Sequence, residues 1–134
     1  MFEYNELNLK RVSDSIVSNL TSDLLPKKWV ERNSKNPMFG HCHTASACLQ
    51  KIFGSKNIKL YRALDDEGIW HWWVKDCNDV IIDLTADQYL STGRNPPSYD
   101  IGQKASMLGF GYRTRVNRLV DKVLNHLSST GTPE

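Results

Sequence analysis

Apolar positions along the chain change from a helical spacing to an alternating one and back again. An early run repeats every three or four residues and predicts an amphipathic helix that ends near Leu25, before Pro26. The apolar positions of this helix are Leu9, Val12, Ile16 and Leu20. Residues 26–40 are rich in turn formers and predict a connecting loop, whereas residues 42–53 predict a second helix that stops at Gly54.

The second half of the chain predicts strands followed by a last helix. Residues 58–64, 69–74 and 80–85 predict three strands, and the Gly- and Pro-containing residues 91–106 predict a loop. Residues 115–127 return to helical spacing. The order helix, helix, strands, helix predicts an α+β fold in which helices pack on a short antiparallel sheet.

Length and charge narrow the class of protein. A chain of 134 residues predicts a single domain, here residues 1–127, followed by a frayed tail over 128–134. A net charge of +2 argues against a protein whose main function is to bind nucleic acid. The absence of a long apolar run and of a leader-like N-terminus predicts a cytoplasmic protein without membrane partners, and leaves the oligomeric state open. Three cysteines, an odd and sparse count, predict reduced thiols.

Cys42 lies at the predicted first turn of the second helix, just after Gly40. Helix N-termini stabilise thiolates through the helix dipole and unpaired N–H groups, and the same N–H groups can bind an oxyanion. On this residue alone, a small buried core cysteine is an equally good interpretation.

A histidine and a carboxylate lie on neighbouring predicted strands. Asp83 stands in an apolar strand, where an unpaired carboxylate would be costly to bury. If the strands pair around Cys77, His71 lies directly opposite Asp83, whereas a two-residue loop would place His71 opposite Leu84. The need to give Asp83 a partner favours the first register.

Together, Cys42, His71 and Asp83 would supply the nucleophile, base and orienting acid of a thiol enzyme. The chemistry would be acyl transfer through a thioester. The predicted hairpin brings His71 to Asp83, but only a resemblance brings Cys42 to them.

Several short motifs together resemble the YunG-like family of small bacterial proteins, which are similar to papain-like and transglutaminase-like enzymes. The motifs are Trp-x-x-x-Asn, Asn-Pro-x-x-Gly-x-Cys at a helix start, His-[Tyr/Trp]-Trp on a strand and Asp-Leu-Thr-x-x-Gln. In this chain they are Trp29, Asn33, Asn36, Pro37, Gly40, Cys42, His71, Trp72, Trp73, Asp83, Leu84, Thr85 and Gln88. The resemblance covers approximately residues 24–123 and implies a papain-like or transglutaminase-like domain with a Cys42–His71–Asp83 triad, without a known substrate. His41 departs from the family pattern, which often has Gln at this position.

Three further residues are candidates for substrate or oxyanion contacts. Asn36 precedes Cys42 by six residues, the spacing of an amide oxyanion donor in papain-like enzymes, although Asn-Pro also initiates turns. Trp73 shares the strand face of His71 and would either wall the site or pack in the core. Gln88 would either hydrogen-bond near the site or cap a turn. Residues 91–104 are long enough to form a lid or substrate rim.

A metal site is the main competing chemistry. His41 and His43 flank Cys42, but no second close-spaced ligand pair matches them, so neither a metal nor another cofactor is predicted. Cys48 is predicted to face away from Cys42, and Cys77 to lie in an exposed turn.

The sequence therefore predicts a thiol-dependent acyl-transfer enzyme: an amide or ester hydrolase, a glutamine deamidase or a transglutaminase-like enzyme. A protein or peptide substrate is compatible with that chemistry. The alternative is a non-catalytic binding or inhibitory module on a papain-like fold, which would use the basic last helix and the 91–104 loop as its contact surface.

Overall fold

A computed structural model describes residues 2–109 and 111–129. Within these residues, five α-helices accompany a four-stranded antiparallel sheet, which is a mixed α+β fold as predicted. The α-helices are α1 (Glu6–Ser18), α2 (Val30–Lys35), α3 (Cys42–Phe53), α4 (Asp87–Leu90) and α5 (Gly111–Ser129). The strands are β1 (Ile58–Leu64), β2 (Trp70–Asp76), β3 (Ile81–Ile82) and β4 (Gln103–Ala105), in the sheet order β3-β2-β1-β4. Short 3-10 helices cover Ser22–Leu24, Lys27–Trp29 and Tyr99–Ile101.

The core lies between one face of the sheet and the three long helices. Helix α3 is the central element, because it packs against α1, α5, β1 and β2. Strand residues such as Leu60, Trp72 and Val74 point into this core, and the alternating residues of β2, His71 and Trp73, lie on the other face. That second face is covered by Tyr89 and Tyr99.

Helix α3 and the first strand agree closely with the prediction, whereas α1 ends at Ser18 instead of near Leu25, because Asn19 caps it and Ser22–Leu24 form a separate 3-10 helix. Helix α3 and strand β1 have the predicted boundaries, 42–53 and 58–64. At the end of α3, Gly54 has a φ of 89°, a conformation that glycine adopts without strain. Helix α5 extends past the predicted boundary to Ser129, and the rest of the predicted tail, 130–134, lies outside the described residues.

Three loop and strand predictions were wrong. Residues 26–40 contain α2 and a 3-10 turn, and residues 91–106 contain β4, which pairs with β1. The third is the predicted strand 80–85, which shortens to Ile81–Ile82. Elements this short carry too few periodic positions to separate them from loops.

The register of the β2–β3 hairpin also differs from the prediction. Lys75 pairs with Ile81, so the strands are shifted by two residues relative to pairing around Cys77. The reason is a turn in which the Asp76 carboxylate accepts hydrogen bonds from the N–H groups of Asn78 and Val80, while Asp79 adopts a φ of 62°. Because a shift of two residues keeps every side chain on its face, the consequences for His71 and Asp83 are small.

Among the described residues, no helix has the length and apolar character needed to cross a membrane.

Candidate active site

Cys42 is the first residue of α3, and the turn before it is held by specific contacts. The Asn33 side-chain amide donates to the carbonyl oxygens of Pro37 and Phe39 at 2.9 and 2.8 Å. Gly40 adopts a φ of 86°, and a Cβ there would come within 2.9 Å of Leu25. The left-handed backbone conformation therefore favours glycine two residues before the thiol, and a Cβ there would in addition displace the end of the Leu25 side chain.

The thiol is only 7% exposed. Its Sγ lies 3.8 Å from the carbonyl oxygen of Trp70, the first residue of β2. The start of α3 thus meets the start of β2 at Cys42. The first turn of any helix also leaves backbone N–H groups without helical partners, and in α3 no side chain of the preceding residue, His41, caps them.

His71 and Asp83 form the predicted pair. The His71 Nε2 lies 2.6 Å from the Asp83 Oδ2, and both side chains are almost fully buried. Asp83 follows β3 directly, so His71 reaches it as a diagonal neighbour on the same face rather than as the directly opposite residue.

Tyr99 is a partner of this carboxylate that the sequence did not reveal. Its hydroxyl donates to the Asp83 Oδ2 at 2.7 Å, and the Thr85 N–H donates to the Oδ1 at 3.3 Å. Burial and the hydrogen bond to Asp83 raise the pKa of Tyr99, so it stays a neutral donor. Tyr99 belongs to the 91–104 segment, where a tyrosine between turn formers carries no signal that separates it from an exposed loop residue.

The remaining surroundings of His71 are aromatic. The Tyr89 ring meets the imidazole edge-on at a centroid distance of 4.9 Å, and Trp73 lies tilted against it at 5.8 Å. The imidazole Nδ1 has no hydrogen-bond partner of good geometry in the described part of the chain. It is therefore the nitrogen left for the thiol.

The imidazole is held in its charged form. Burial lowers the pKa of His71, but the hydrogen bond to Asp83 and the interaction with the Cys42 side chain outweigh burial and raise the pKa to about 9. A cationic imidazole therefore lies next to the sulfur of the first residue of α3.

The three residues predicted to contact substrate or an oxyanion, which are Asn36, Gln88 and Trp73, have different positions relative to the thiol. Asn36 donates its side-chain amide to the Gln88 carbonyl oxygen at 2.8 Å, so it ties α4 to the turn before Cys42. Gln88 lines the cleft next to the thiol, and its Oε1 is buried without a hydrogen-bond partner among the described residues. Trp73 is fully buried under Tyr99 and Gly102 and does not line the cleft.

An open cleft of about 190 Å³ adjoins Cys42. Aromatic side chains dominate its lining, and the cationic side chains of Arg62 and Lys28 lie against them. The aromatic lining residues are Trp29, Phe39, Trp70, Trp72 and Tyr112. Trp70 and Trp72 lie on the opposite strand face from His71, and Trp70 is 38% exposed and forms part of the cleft rather than the core.

The other two thiols lie apart from this cleft. Cys48 is fully buried in the helical core, where burial raises the pKa of its thiol. Cys77 is exposed in the hairpin turn, as predicted. Cys42 is thus the thiol that borders the cleft.

The histidines beside Cys42 lie in different environments. His41 is fully buried, and burial lowers the pKa of His41 to about 4. Burial likewise lowers the pKa of His43 to about 4, and its Nε2 accepts a hydrogen bond from the Leu108 N–H at 3.0 Å. Both are neutral near pH 7.

The acidic side chains that come together as possible cation ligands belong to the turn between β1 and β2. They are Asp65, Asp66 and Glu67, and Arg94 forms ion pairs with all three. This cluster therefore carries its own counter-ion and lies apart from the histidines that flank Cys42.

The sequence model of the YunG protein family matches residues 6–128 of the chain. No curated protein and no solved structure matches it.

Proposed function

The chain belongs to the YunG protein family, and we propose that it is a thiol-dependent acyl-transfer enzyme with a Cys42–His71–Asp83 triad. The observation that carries the proposal is the buried His71–Asp83 pair, whose free imidazole nitrogen is left for the thiol at the start of α3. The likeness to papain-like and transglutaminase-like folds is part of the same proposal.

The first half of the reaction forms a thioester. The Cys42 thiolate attacks the carbonyl carbon of an amide, and the backbone N–H groups at the start of α3 bind the resulting oxyanion. The His71 imidazolium gives its proton to the leaving nitrogen, the C–N bond breaks, and an amine departs. The acyl group is then attached to the sulfur, and His71 is neutral.

The second half of the reaction releases the acyl group. Neutral His71 takes a proton from water, whose oxygen attacks the thioester carbonyl, and the C–S bond breaks to give a carboxylic acid. The thiolate and the imidazolium are restored. If an amine attacks instead of water, the product is a new amide, which is the difference between a hydrolase or deamidase and a transglutaminase.

Asp83 and Tyr99 would act on the imidazole rather than on the substrate. Asp83 fixes the ring through Nε2 and stabilises its positive charge, and Tyr99 holds the same carboxylate oxygen from the other side. Both are positioning residues in this mechanism.

The direct test is formation of the thioester. The protein is mixed with p-nitrophenyl acetate, quenched in acid and examined by intact-protein and peptide mass spectrometry. We expect one acetyl group on Cys42, formed fast and lost slowly on further incubation. Cys77→Ser is the matched control and should behave as wild type, whereas Cys42→Ala should show no such adduct.

His71→Gln separates catalysis from simple thiol exposure. This variant should fold, by circular dichroism, and acetylate Cys42 at least about a hundredfold more slowly, which is the usual contribution of general acid–base catalysis. Equal acetylation of Cys42 and Cys77 in the wild type would refute the proposal.

A non-catalytic binding module is less well supported. Its contact surface would be the basic side of α5, but Arg118 donates to the Asp23 carbonyl oxygen at 3.0 Å and Lys122 binds the Asp23 carboxylate at 3.1 Å. These cations are already engaged within the chain.

A further inference from the structure

We infer that the cleft beside Cys42 selects acyl substrates that carry a carboxylate, which Arg62 and His43 bind while the reacting carbonyl lies at the thiol. This inference rests on the proposed function and adds a substrate class to it. Its evidence is the charge and the unused donors of the cleft.

The first observation is the charge of the lining. Among the described residues that line the cleft, Arg62 and Lys28 are cationic and none is a carboxylate. The Arg62 guanidinium stacks over Trp70 at 4.1 Å from the ring centroid and lies 5.4 Å from that of Trp72. Stacking holds the guanidinium in place but leaves its N–H groups, which lie in the plane of the guanidinium, without a carboxylate partner in the described part of the chain.

The second observation is a neutral donor in the same lining. The Leu108 N–H donates to the His43 Nε2, so neutral His43 carries its proton on Nδ1. This Nδ1 is buried and has no hydrogen-bond partner among the described residues. A buried N–H without an acceptor is costly, and an oxygen of a bound anion would satisfy it.

The size of the cleft limits what binds there. Its volume of about 190 Å³ lies below the range of about 300–1,000 Å³ for typical small-molecule sites. It fits a short acyl group, such as a side chain or a chain terminus, rather than an extended peptide. Gln88 lines the same cleft with an unpartnered buried Oε1, which is an acceptor for the N–H of an amide substrate.

Alkylation with a matched pair of reagents tests the inference. Iodoacetate and iodoacetamide transfer groups of similar size to a thiolate with loss of iodide, but only the first is anionic. The rate of each is measured at Cys42 and at the exposed Cys77 by peptide mass spectrometry, at low salt and about pH 10. The pKa of His71 is about 9, so at this pH most of its charge is lost and its attraction for the anionic reagent is removed.

The expected result is a selectivity that depends on Arg62. The iodoacetate-to-iodoacetamide rate ratio at Cys42 should exceed the ratio at Cys77 by about fivefold, the effect of one partly exposed ion pair. Arg62→Gln should bring the ratio close to that of Cys77, and Arg62→Lys should retain most of it. Lys59→Gln removes the same charge from the opposite face of β1 and should leave the ratio unchanged.

The outcomes separate this inference from the proposed function. If Cys42 reacts with iodoacetamide near pH 7 much faster than Cys77 but its ratio is unaffected by Arg62→Gln, the carboxylate selectivity is wrong and the thiol enzyme stands. If Cys42 reacts with iodoacetamide no faster than Cys77, the proposed function is wrong and this inference falls with it.

Discussion

Asp83→Asn is expected to remove a pH-dependent stabilisation that comes from the buried His71–Asp83 pair. The substitution keeps the size of the side chain and a carbonyl acceptor for the His71 Nε2, but it removes the negative charge. In the wild type, the pKa of His71 is raised from 6.5 to about 9. Burial lowers the pKa of His71, whereas Asp83 and Cys42 together raise it, so removing the Asp83 charge should bring the pKa in the variant back toward its ordinary value.

The size of the effect follows from linkage between protonation and folding. A group whose pKa is higher in the folded state stabilises it fully below the unfolded pKa, and this stabilisation is lost as pH rises through the folded pKa. A difference of one pKa unit between the two states corresponds to about 1.36 kcal/mol, so His71 contributes about 3 kcal/mol at about pH 6 and close to nothing at about pH 10.

Urea unfolding of both proteins at several pH values measures this contribution. The difference in free energy of unfolding between wild type and Asp83→Asn should be largest at about pH 6 and shrink by about 3 kcal/mol at about pH 10. Groups outside the site are shared by the two proteins and cancel to first order in the difference. A difference that stays constant with pH would refute the argument that the pair holds a charged imidazole.

The remaining predictions concern residues around the site. Burial lowers the pKa of His43 from 6.5 to about 4, so its contribution to the free energy of unfolding is fully present above pH 6.5 and is lost as pH falls toward 4. His43→Gln should reduce this acid-induced loss of stability, measured by urea unfolding, by about 3 kcal/mol. Tyr99→Phe removes one donor from a buried carboxylate and should lower the free energy of unfolding in urea by about 1 kcal/mol, whereas an unchanged stability would show that this hydroxyl does not support Asp83. A Cβ on Gly102 would lie 2.3 Å from Trp73, so Gly102→Ala should cost about 2 kcal/mol in thermal or urea unfolding. Gly109→Ala is its control, because a Cβ there meets no described atom within 4 Å.

The elements that the sequence predicts well are those with several periodic positions. The boundaries of helix α3 and strand β1 agree with the prediction to the residue, since each repeats its apolar pattern over at least seven positions. Strand β4 has three residues, Gln103–Ala105, two of them exposed. This strand forms because its backbone pairs with the edge of β1. That pairing depends on the tertiary structure, so the local sequence pattern does not predict it.

The part of the candidate site that the sequence predicts is the part where a buried charge needs a partner. An aspartate in an apolar strand needs a partner, and His71 is that partner although the strand register differs by two residues from the predicted one. Tyr99 carries no such signal, because its segment follows a long loop and reaches Asp83 only after the chain has folded back. Arg62 was missed for a similar reason: its place beside the thiol depends on the stacking of its guanidinium on Trp70.

The charge of each of the three histidines around the thiol depends on its hydrogen-bond partner and not on its distance from Cys42 in the sequence. His41 and His43 are adjacent to Cys42 in sequence, yet burial lowers the pKa of each to about 4, because neither is hydrogen-bonded to a carboxylate of the described chain. His71, far away in sequence, is just as buried but is bonded to Asp83, and its pKa rises to about 9. The positive charge at the sulfur near pH 7 therefore comes from strand β2. A neutral pair of histidines at the helix start leaves that charge free of competing imidazolium groups, so His43 can serve as an uncharged donor in the cleft while His71 carries the proton.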